Sequence, residues 1–302
     1  MEIRQLRTFM SIVTLGSFSE ASKQLGYTQS SVTSHIQLLE KELGVALFER
    51  MGHSLMLTAE GEKLYSYAER ITRLDDEVHA NIGQQEEPSG VLSLGMAETI
   101  ASYHLRRILE EYALLYPKVK LRVRLGTGIY FRQLLRENVL DLAFFFEEKI
   151  QEKEFKVYDL GHEDIVLAAS PTHELVSKAT ISEKDLSRQS VIVTELNNCY
   201  SEVLETSLEE AGVEPLRIME IGQMQSAIEF ACRGLGVALL PAVAVEDAVK
   251  TGKLKVLHWS GRPWNMHAYM VHHKDKWLNV PIKLFIKLLC ERMPSFGGKH
   301  VL

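Results

Sequence analysis

The stretch GSFSEASKQLGYTQSSVTSHIQLLEKELG, residues 16–44, decides the fold of the amino-terminal part of this 302-residue chain. Gly16 is placed to end a preceding helix. Ser17 and Glu20 have the spacing of a capping box, which starts the next helix. The turn GYT, residues 26–28, then leads into a third helix. Two helices joined by a short glycine-containing turn are typical of a helix-turn-helix.

The third helix of this stretch carries the residue types of a DNA-reading helix. Thr28 or Gln29 can cap its start, and apolar residues at steps of four and three give it one buried side. Short polar side chains occupy the other face and can approach base edges and phosphates without a steric clash. The candidate DNA-binding residues of this helix are Gln29, Ser30, Ser31, Thr33 and Ser34. A generic helical domain with polar surface residues is the alternative interpretation.

The residues after Gly44 predict two short strands around a turn at Gly52, which would form a wing beside the helix-turn-helix. Arg50 and His53 flank this turn and are predicted to contact the DNA backbone. Residues 1–58 hold five basic and five acidic side chains, whereas a DNA-binding domain usually has a basic surplus. DNA binding is therefore expected to depend on where the basic residues lie and on having two copies of the domain.

Residues 59–87 predict a long helix with one apolar seam, and Thr58 can cap its start. The seam residues follow heptad spacing over three heptads; they are Leu64, Tyr67, Ile71, Leu74 and Val78. A long and otherwise charged helix needs a partner for such a seam, and an identical helix is the simplest one. The alternative is an amphipathic helix that packs on its own domain. The segment QQEEPSG, residues 84–90, is typical of a hinge.

Strands and helices alternate after residue 90, which predicts two α/β lobes with parallel strands and right-handed crossovers. The predicted strands are 91–95, 119–125, 141–146, 165–169, 190–194, 216–221 and 236–240. The predicted helices are 100–116, 131–138, 200–212, 224–233 and 280–293. A cleft between two lobes is the usual place for a small ligand.

Composition and motifs exclude several classes of protein. Hydrophobic residues make up 46% and charged residues 25% of the chain, as in an ordinary globular protein. The apolar run 235–245 is too short to cross a bilayer, and no secretory signal is visible. The net charge of -6 argues against a protein that coats nucleic acid through bulk charge. We find no GxGxxG, Walker, GxSxG or HExxH motif, so we expect no enzyme activity, cofactor or metal.

These residues resemble the LysR-type transcriptional regulators. The resemblance covers nearly the whole chain in the order and spacing of that family. The stretches that carry it are LRTF (6–9), GSFSEA (16–21), TQSSV (28–32), LEKELG (39–44), LFER (47–50), LTAEG (57–61), YP (116–117), DLA (141–143) and GLGVALLP (234–241).

The resemblance implies an α/β fold class with an N-terminal all-α winged helix-turn-helix. A long linker helix would join it to a two-lobed effector domain like the periplasmic binding proteins. The implied divisions are a DNA-binding domain (1–58), a linker or dimerisation helix (59–87) and an effector-binding domain (88–302), with lobe I at about 91–161 plus 267–302 and lobe II at about 162–266.

The resemblance also implies a cytoplasmic regulator that binds double-stranded promoter DNA as a dimer of dimers, a homotetramer. A small-molecule effector would change DNA bending and contacts with RNA polymerase, with no membrane involved. His53 stands where the family often has arginine, so its phosphate contact is expected to be weaker and pH-dependent. Two alternatives are a two-lobed small-molecule binding protein or enzyme without a gene-regulatory role, and an architectural DNA binder without an effector.

The candidate effector site lies at turns that lead into helices, where backbone amides and the helix dipole favour an anion. Its residues are Thr99, Ile100, Thr127, Gly128, Asn198, Cys199, Ser201 and Gln223. They predict an anionic or zwitterionic metabolite, and ordinary helix capping by the hydroxyls is the alternative. Glu98 is expected to point outward or to pair with a cationic part of the ligand. Three scattered cysteines argue against a disulfide scaffold and favour a reducing compartment, with Cys199 a ligand wall or buried thiol rather than a redox switch.

Overall fold

Three helices form the amino-terminal part of the chain, and they pack on one shared core. A computed structural model of the chain describes residues 1–51, 54–81, 87–194 and 199–293. Its first helices are α1 (Ile3–Leu15), α2 (Phe18–Leu25) and α3 (Gln29–Leu43). The apolar spacing of the sequence predicts most of their shared core, and Leu47 joins it from the next segment. The core residues are Leu6, Phe9, Ile12, Ala21, Val32, Ile36, Leu39 and Leu47.

The helix caps follow the sequence with one exception. Ser17 accepts a hydrogen bond from the backbone N–H of Glu20 at 3.3 Å, which satisfies one free donor at the start of α2. A capping box also predicts a second hydrogen bond, from the backbone N–H of Ser17 to the side chain of Glu20. This prediction is wrong, because the Glu20 carboxylate binds Lys23 at 2.8 Å instead. Thr28, one of the two expected caps, accepts from the N–H of Ser31 at 3.2 Å at the start of α3.

The wing and the linker helix come directly after α3 in the chain. Strands β1 (Phe48–Met51) and β2 (Ser54–Leu57) pair antiparallel, as predicted. Helix α4 (Ala59–Asn81) begins where Thr58 accepts a hydrogen bond from the N–H of Gly61 at 3.0 Å. A Cβ on Gly61 would overlap the carbonyl oxygen of Leu47, so only glycine lets α4 start this close to the wing.

The predicted apolar seam of α4 divides into two faces. Leu64 is buried in the helix-turn-helix core, and Ile71 packs against that core. Tyr67, Leu74 and Val78 point away from it and are 58%, 52% and 51% exposed. The prediction of one continuous seam is therefore wrong, because α4 packs along α1 and this contact takes part of the apolar set. The outward face keeps an apolar strip.

The rest of the described chain forms two α/β lobes. Its strands are β3 (Gly90–Met96), β4 (Val119–Leu125), β5 (Leu142–Glu147), β6 (Phe155–His162), β7 (Ile165–Ala169), β8 (Ser190–Thr194), β9 (Arg217–Ile221), β10 (Val237–Pro241), β11 (Lys255–Leu257) and β12 (His267–His273). Its helices are α5 (Arg106–Leu115), α6 (Gly128–Arg136), α7 (Cys199–Ala211), α8 (Met224–Cys232), α9 (Ala242–Lys250) and α10 (Val280–Arg292).

Each lobe contains one five-stranded sheet. Lobe I has the strand order β4-β3-β5-β12-β6, and lobe II has the order β11-β7-β10-β8-β9. The central strands β5 and β10 are buried along nearly their whole length, as expected for a sheet covered on both faces. No helix within the described ranges combines the length and apolar character that crossing a membrane requires.

Parallel pairing was predicted throughout, and this is wrong for one strand of each sheet. β12 runs antiparallel to both neighbours in lobe I, and β7 does so in lobe II. β7 is the first strand of lobe II after the chain leaves lobe I, and β12 is the strand with which the chain returns to lobe I. The remaining strands of a lobe point their carboxyl ends at the cleft, so a strand that arrives across the cleft must run the opposite way.

The predicted helix 100–116 is interrupted. Residues Ile100–His104 form a π-helical turn, in which the N–H of Leu105 donates to the carbonyl of Ile100 at 2.8 Å. Helix α5 starts only after it. Such turns often occur beside functional sites, and this one follows directly on the end of β3 that faces the cleft.

Candidate effector cavity and DNA-binding face

The start of α3 presents an uncharged polar surface. Gln29, Ser30 and Ser34 are exposed, and Ser31 and Thr33 are half-buried. The first turn of α3 contains no acidic side chain, so the positive end of its dipole is available to a phosphate. Among the predicted wing contacts, His53 and the side chain of Arg50 lie outside the described residues.

Local hydrogen bonds fix part of this polar surface. The Thr28 hydroxyl lies 2.9 Å from that of Ser30 and 2.8 Å from that of Ser31. The Thr33 hydroxyl donates to the carbonyl of Gln29 at 2.9 Å. These short side chains therefore sit close to the helix surface, which leaves room for a duplex groove above them.

Charged contacts join the helix-turn-helix to α4. Arg7 of α1 donates to Asp76 at 2.6 Å and to Asp75 at 3.0 Å. Partial burial disfavours the guanidinium charge, but these two carboxylates outweigh it and hold the pKa of Arg7 above its ordinary value. These two ion pairs therefore join the first helix to the linker helix.

The same helix is attached to lobe I. Arg73 of α4 forms an ion pair with Asp141, and both side chains are buried. Glu69 of α4 pairs with Arg124 on β4. No sequence motif marks these contacts, because their members lie more than fifty positions apart in the chain.

A cavity of about 570 Å³ lies between the two lobes. Lobe I contributes the carboxyl ends of β3, β4 and β5 and the start of α6, while lobe II contributes parts of α7 and α8 and the segment that precedes β12. This is the location that the strand directions favour for a ligand. Its polar and charged lining residues are Glu98, Thr99, Thr127, Arg132, Glu147, Glu148, Thr194, Tyr200, Glu202, Thr206, Arg262 and Asn265.

The cavity contains some of the residues proposed from the sequence. Thr99, Thr127 and Gly128 line it. Ile100 belongs to the hydrophobic core, and Ser201 is fully buried within α7. The remaining residues are not part of the described lining: Gln223 is flanked by two residues that line the cavity, while Asn198 and the side chain of Cys199 lie outside the described residues.

Gly128 and Thr99 lie on the lobe I wall of the cavity, where there is little free space. A Cβ on Gly128 would lie 2.8 Å from the ring of Phe145 and 3.0 Å from a guanidinium nitrogen of Arg132. Thr99 is 3% exposed and lines the cavity, and its hydroxyl makes no capping hydrogen bond at the start of the π-helical turn.

The two arginines of the cavity are already paired. Arg132 is buried, binds Glu147, donates to Glu152 at 2.6 Å and lies 4.9 Å from the centre of the Phe145 ring. Burial alone would raise the pKa of Glu152, but backbone hydrogen bonds and Arg132 hold it below its ordinary value. Arg262 reaches out of the cavity to Glu210 at 2.7 Å.

A polar contact between the lobes, which no sequence motif indicates, lies beside the cavity. Glu163 lies on the crossing between β6 and β7 and is buried. Its carboxylate lies 2.9 Å from Nε2 of His104 in lobe I and accepts from the Tyr200 hydroxyl of lobe II at 3.3 Å. The N–H of Glu163 also donates to the carbonyl of Met266 on the second crossing at 2.8 Å. These residues are far apart in sequence, so no spacing could have indicated them.

The described cysteines are not activated. Cys232 and Cys290 are free thiols, and burial raises the pKa of both. A thiol with a raised pKa is a poor nucleophile at neutral pH. The raised pKa of Cys232 therefore gives no support to a redox reaction in which Cys232 is the partner of Cys199.

Comparison with known proteins agrees with this architecture. Residues 3–62 match the family model described as "Bacterial regulatory helix-turn-helix protein, lysR family", and residues 85–294 match "LysR substrate binding domain". The HTH-type transcriptional regulator YwqM of Bacillus subtilis (strain 168) is 32% identical over 289 residues, 95% of this chain and 98% of that protein. The regulator CzcR of Bacillus anthracis is 31% identical over 292 residues, 96% of this chain and 98% of its own length.

Solved structures share the fold. CbnR, a LysR family transcriptional regulator, is 21% identical with a TM-score of 0.68, and the match covers 97% of this chain and 99% of that one. CbnR in complex with its target DNA gives a TM-score of 0.70 at 21% identity and covers 98% and 99% of the two chains. At this identity the likeness establishes the fold alone.

The two family matches decide between the alternatives left open by the sequence. The match over the amino-terminal helices contradicts a two-lobed binding protein or enzyme without a regulatory role. The match over the lobes contradicts an architectural DNA binder without an effector domain. This chain belongs to the LysR family of DNA-binding transcriptional regulators.

Proposed function

We propose that a small-molecule effector binds in the cavity between the two lobes and thereby changes how the protein binds promoter DNA. The observation that carries this proposal is the lining of the cavity by both lobes, at the carboxyl ends of the lobe I strands. A ligand there contacts both lobes at once, so it binds differently to conformations in which the lobes are closer together or farther apart. That difference in affinity is what an effector needs to shift the equilibrium between them.

The contacts of α4 supply a route from the cavity to DNA. Lobe I is attached to α4 through Arg73 and Asp141, and α4 is attached to α1 through Arg7. Lobe I, α4 and the helix-turn-helix are therefore proposed to move together. A change in the angle between the lobes then changes the spacing of two DNA-binding units in an oligomer.

The proposed assignment of the chain keeps the limits set by the sequence, with residues 1–58 for DNA binding, 59–87 for dimerisation and 88–302 for the effector. The exposed apolar strip of α4 supports self-association, because a strip of this kind is stabilised by a second copy. We further propose a cytoplasmic dimer of dimers that contacts RNA polymerase at the promoter.

The proposed contact residues are divided between the two ends of the molecule. The DNA-binding set is Gln29, Ser30, Ser31, Thr33, Ser34, Arg50 and His53. For the effector, Thr99, Thr127 and Gly128 are supported by their place on the cavity wall. Asn198, Cys199, Ser201, Gln223 and Ile100 stay predictions.

A footprint of the DNA upstream of the gene for this protein tests the proposal. The full chain is footprinted alone and with amino acids, amines and carboxylic acids at millimolar concentration. We expect one class of compound to change the footprint, and Thr99→Val to weaken that response while leaving the ligand-free footprint unchanged. Thr251→Val, an exposed threonine outside the cavity, is the matched control. An unaltered response in Thr99→Val would contradict the proposed site.

A further inference from the structure

A buried carboxylate joins the two lobes where the chain crosses between them. Resting on the proposed function, we infer that Glu163 is a positioning residue that holds the lobes at one angle, through His104 of lobe I and Tyr200 of lobe II. These three residues are called the inter-lobe contact below. The angle between the lobes is the quantity that the proposed effector changes, so a residue that fixes this angle determines which conformation the ligand-free protein adopts.

Each oxygen of this carboxylate contacts a different lobe. Glu163 is 4% exposed, and its Oε2 lies 2.9 Å from Nε2 of His104. Its Oε1 accepts a hydrogen bond from the Tyr200 hydroxyl at 3.3 Å. The backbone N–H of Glu163 donates to the carbonyl of Met266 at 2.8 Å, which joins the two crossings to each other. A buried charge is unfavourable without such partners, so moving either lobe away from Glu163 is unfavourable too.

The contact with His104 is not fully formed in this conformation. An imidazole lone pair this close to a carboxylate oxygen would be repelled, so Nε2 of His104 carries a hydrogen. The ring is nevertheless turned so that no hydrogen bond forms, which leaves Nε2 a buried donor without a hydrogen-bond partner in the described chain. Among the described residues, the other such side-chain atom is Nε1 of Trp264, which lies on the second crossing.

The place of these two donors indicates a second arrangement of the lobes. Buried donors without a hydrogen bond are rare, and both of these lie where the chain passes between the lobes. A small change in the lobe angle that aligns the imidazole of His104 with Glu163 gains a hydrogen bond to a charged group. The inter-lobe contact is therefore an element with two arrangements, which a conformational switch requires.

The wall of the cavity touches the inter-lobe contact directly. Tyr200, Phe146 and Met266 all line the cavity. The ring centre of Phe146 lies 5.7 Å from that of Tyr200 and 6.1 Å from that of His104. A molecule in the cavity that displaces one of these rings also displaces a partner of Glu163. The inter-lobe contact thus lies between the proposed effector and the two crossings.

Hydrogen exchange of the full chain tests this inference. Tyr200→Phe removes one hydroxyl from lobe II and keeps the ring on the cavity wall. We expect it to raise the exchange rate of the π-helical turn of lobe I, which carries His104, at least about threefold, because a hydrogen bond to a charged group is lost at Glu163. Mass spectrometry of a peptide that covers 100–105 measures this rate, with α6 as the reference within lobe I. If Tyr200 only stabilised its own helix, the rate would change in α7 alone.

A second variant shows whether Glu163 transmits the effect. Glu163→Met keeps the length of the side chain and removes both acceptors, so it should raise the exchange rate at 100–105 at least as much. In the double variant Glu163→Met/Tyr200→Phe, loss of the hydroxyl should add nothing further. Two controls should exchange like the wild type at 100–105. They are Asp164→Asn, the next residue, whose side chain is 86% exposed, and Tyr27→Phe, an exposed tyrosine of the helix-turn-helix.

The outcomes separate this inference from the proposed function. An unchanged rate at 100–105 in Tyr200→Phe would overturn the inference, even if Glu163→Met were too unstable to purify. Additive effects in the double variant would overturn it as well, and so would an equal rise in α6, which indicates a general loss of stability. A promoter footprint that no small molecule changes would instead contradict the proposed function and leave the exchange results standing. The melting curve of each variant confirms that it is folded.

Discussion

Arg73 and Asp141 form a buried ion pair that fixes the linker helix to lobe I. Lys276 lies 2.8 Å from the same carboxylate, whose second oxygen accepts from the N–H of Ser93 at 2.8 Å. Arg73 also donates to the carbonyl of Asn138 at 2.5 Å. A buried carboxylate with this many partners determines one docking geometry, since any other geometry leaves a charge unpaired.

Loss of the Asp141 charge should destabilise the protein strongly. Asp141→Asn leaves Arg73 and Lys276 buried without their shared counter-charge, so we expect a loss of about 3–5 kcal/mol in the free energy of unfolding. Urea denaturation followed by circular dichroism measures it. Glu110→Gln removes an exposed pair with Arg106 and should leave the denaturation midpoint nearly unchanged. Equal effects of the two substitutions would contradict the role of Asp141.

The apolar strip on the outer face of α4 should hold two copies together. Leu74 is 52% exposed in the single chain, and a second copy would cover it. Leu74→Glu places a charge in that interface, so the dimer dissociation constant should rise by more than about tenfold. Sedimentation equilibrium gives this constant. Lys63→Glu changes an exposed residue near the start of the same helix and should have little effect. An unchanged dimer in Leu74→Glu would place the interface elsewhere.

Polar side chains at the start of α3 should determine promoter affinity. Gln29→Ala removes an exposed amide that can pair with a base edge, at a cost of about 1–3 kcal/mol, or roughly 5- to 150-fold in the dissociation constant. Gel-shift titration of the upstream DNA at fixed salt measures this change. Gln133→Ala, on lobe I, serves as the control for a loss of glutamine. If Gln29→Ala bound the promoter like the wild type, a contact with a base edge at this position would be excluded.

Stability should fall in mildly acidic solution through His272. Burial lowers the pKa of this imidazole below 6.5, and the charges of Lys156, His273 and Lys276 act in the same direction. The unfolded chain therefore binds a proton more readily than the folded one, so the stabilisation is complete above pH 6.5. This stabilisation is lost as the pH falls from 6.5 toward the pKa of His272 in the folded protein, by at most about 1.4 kcal/mol per pH unit.

Denaturation curves from pH 8 to pH 5 measure this slope. His272→Gln lowers stability at every pH, because it removes the contact with the carbonyl of His273 at 2.8 Å and the stacking on Tyr158. It should also flatten the loss below pH 6.5, which a purely structural role would not do. The same slope in wild type and variant would show that another group is responsible.

Local rules succeeded where a few neighbouring residues decide the structure. The ends of α2 and α3 follow from Ser17, Thr28 and the glycines beside them, because a cap needs only the next few residues. The same rules missed α9, since its apolar run resembles the strand before it. The same rules predicted one helix over 100–116, because the π-helical turn at Ile100 and α5 share one apolar pattern.

The candidate site was predictable only in part. Thr99 and Thr127 follow strands whose carboxyl ends meet at one edge, so their place in the cavity followed from the alternation of strands and helices. Glu163, His104 and Tyr200 belong to three distant segments, and nothing local indicates their contact.

The sequence by itself determined the helix-turn-helix, the linker helix and the two-lobed α/β plan, because capping, apolar spacing and strand alternation act over short distances. Only the tertiary structure decided which face of the linker helix stays exposed, which strand of each sheet is antiparallel and which charges of the cavity are paired. Each of these depends on pairing between residues far apart in the chain. Arg132, for example, is a free cation in the sequence and becomes a compensated one only when folding brings Glu147 and Glu152 to it.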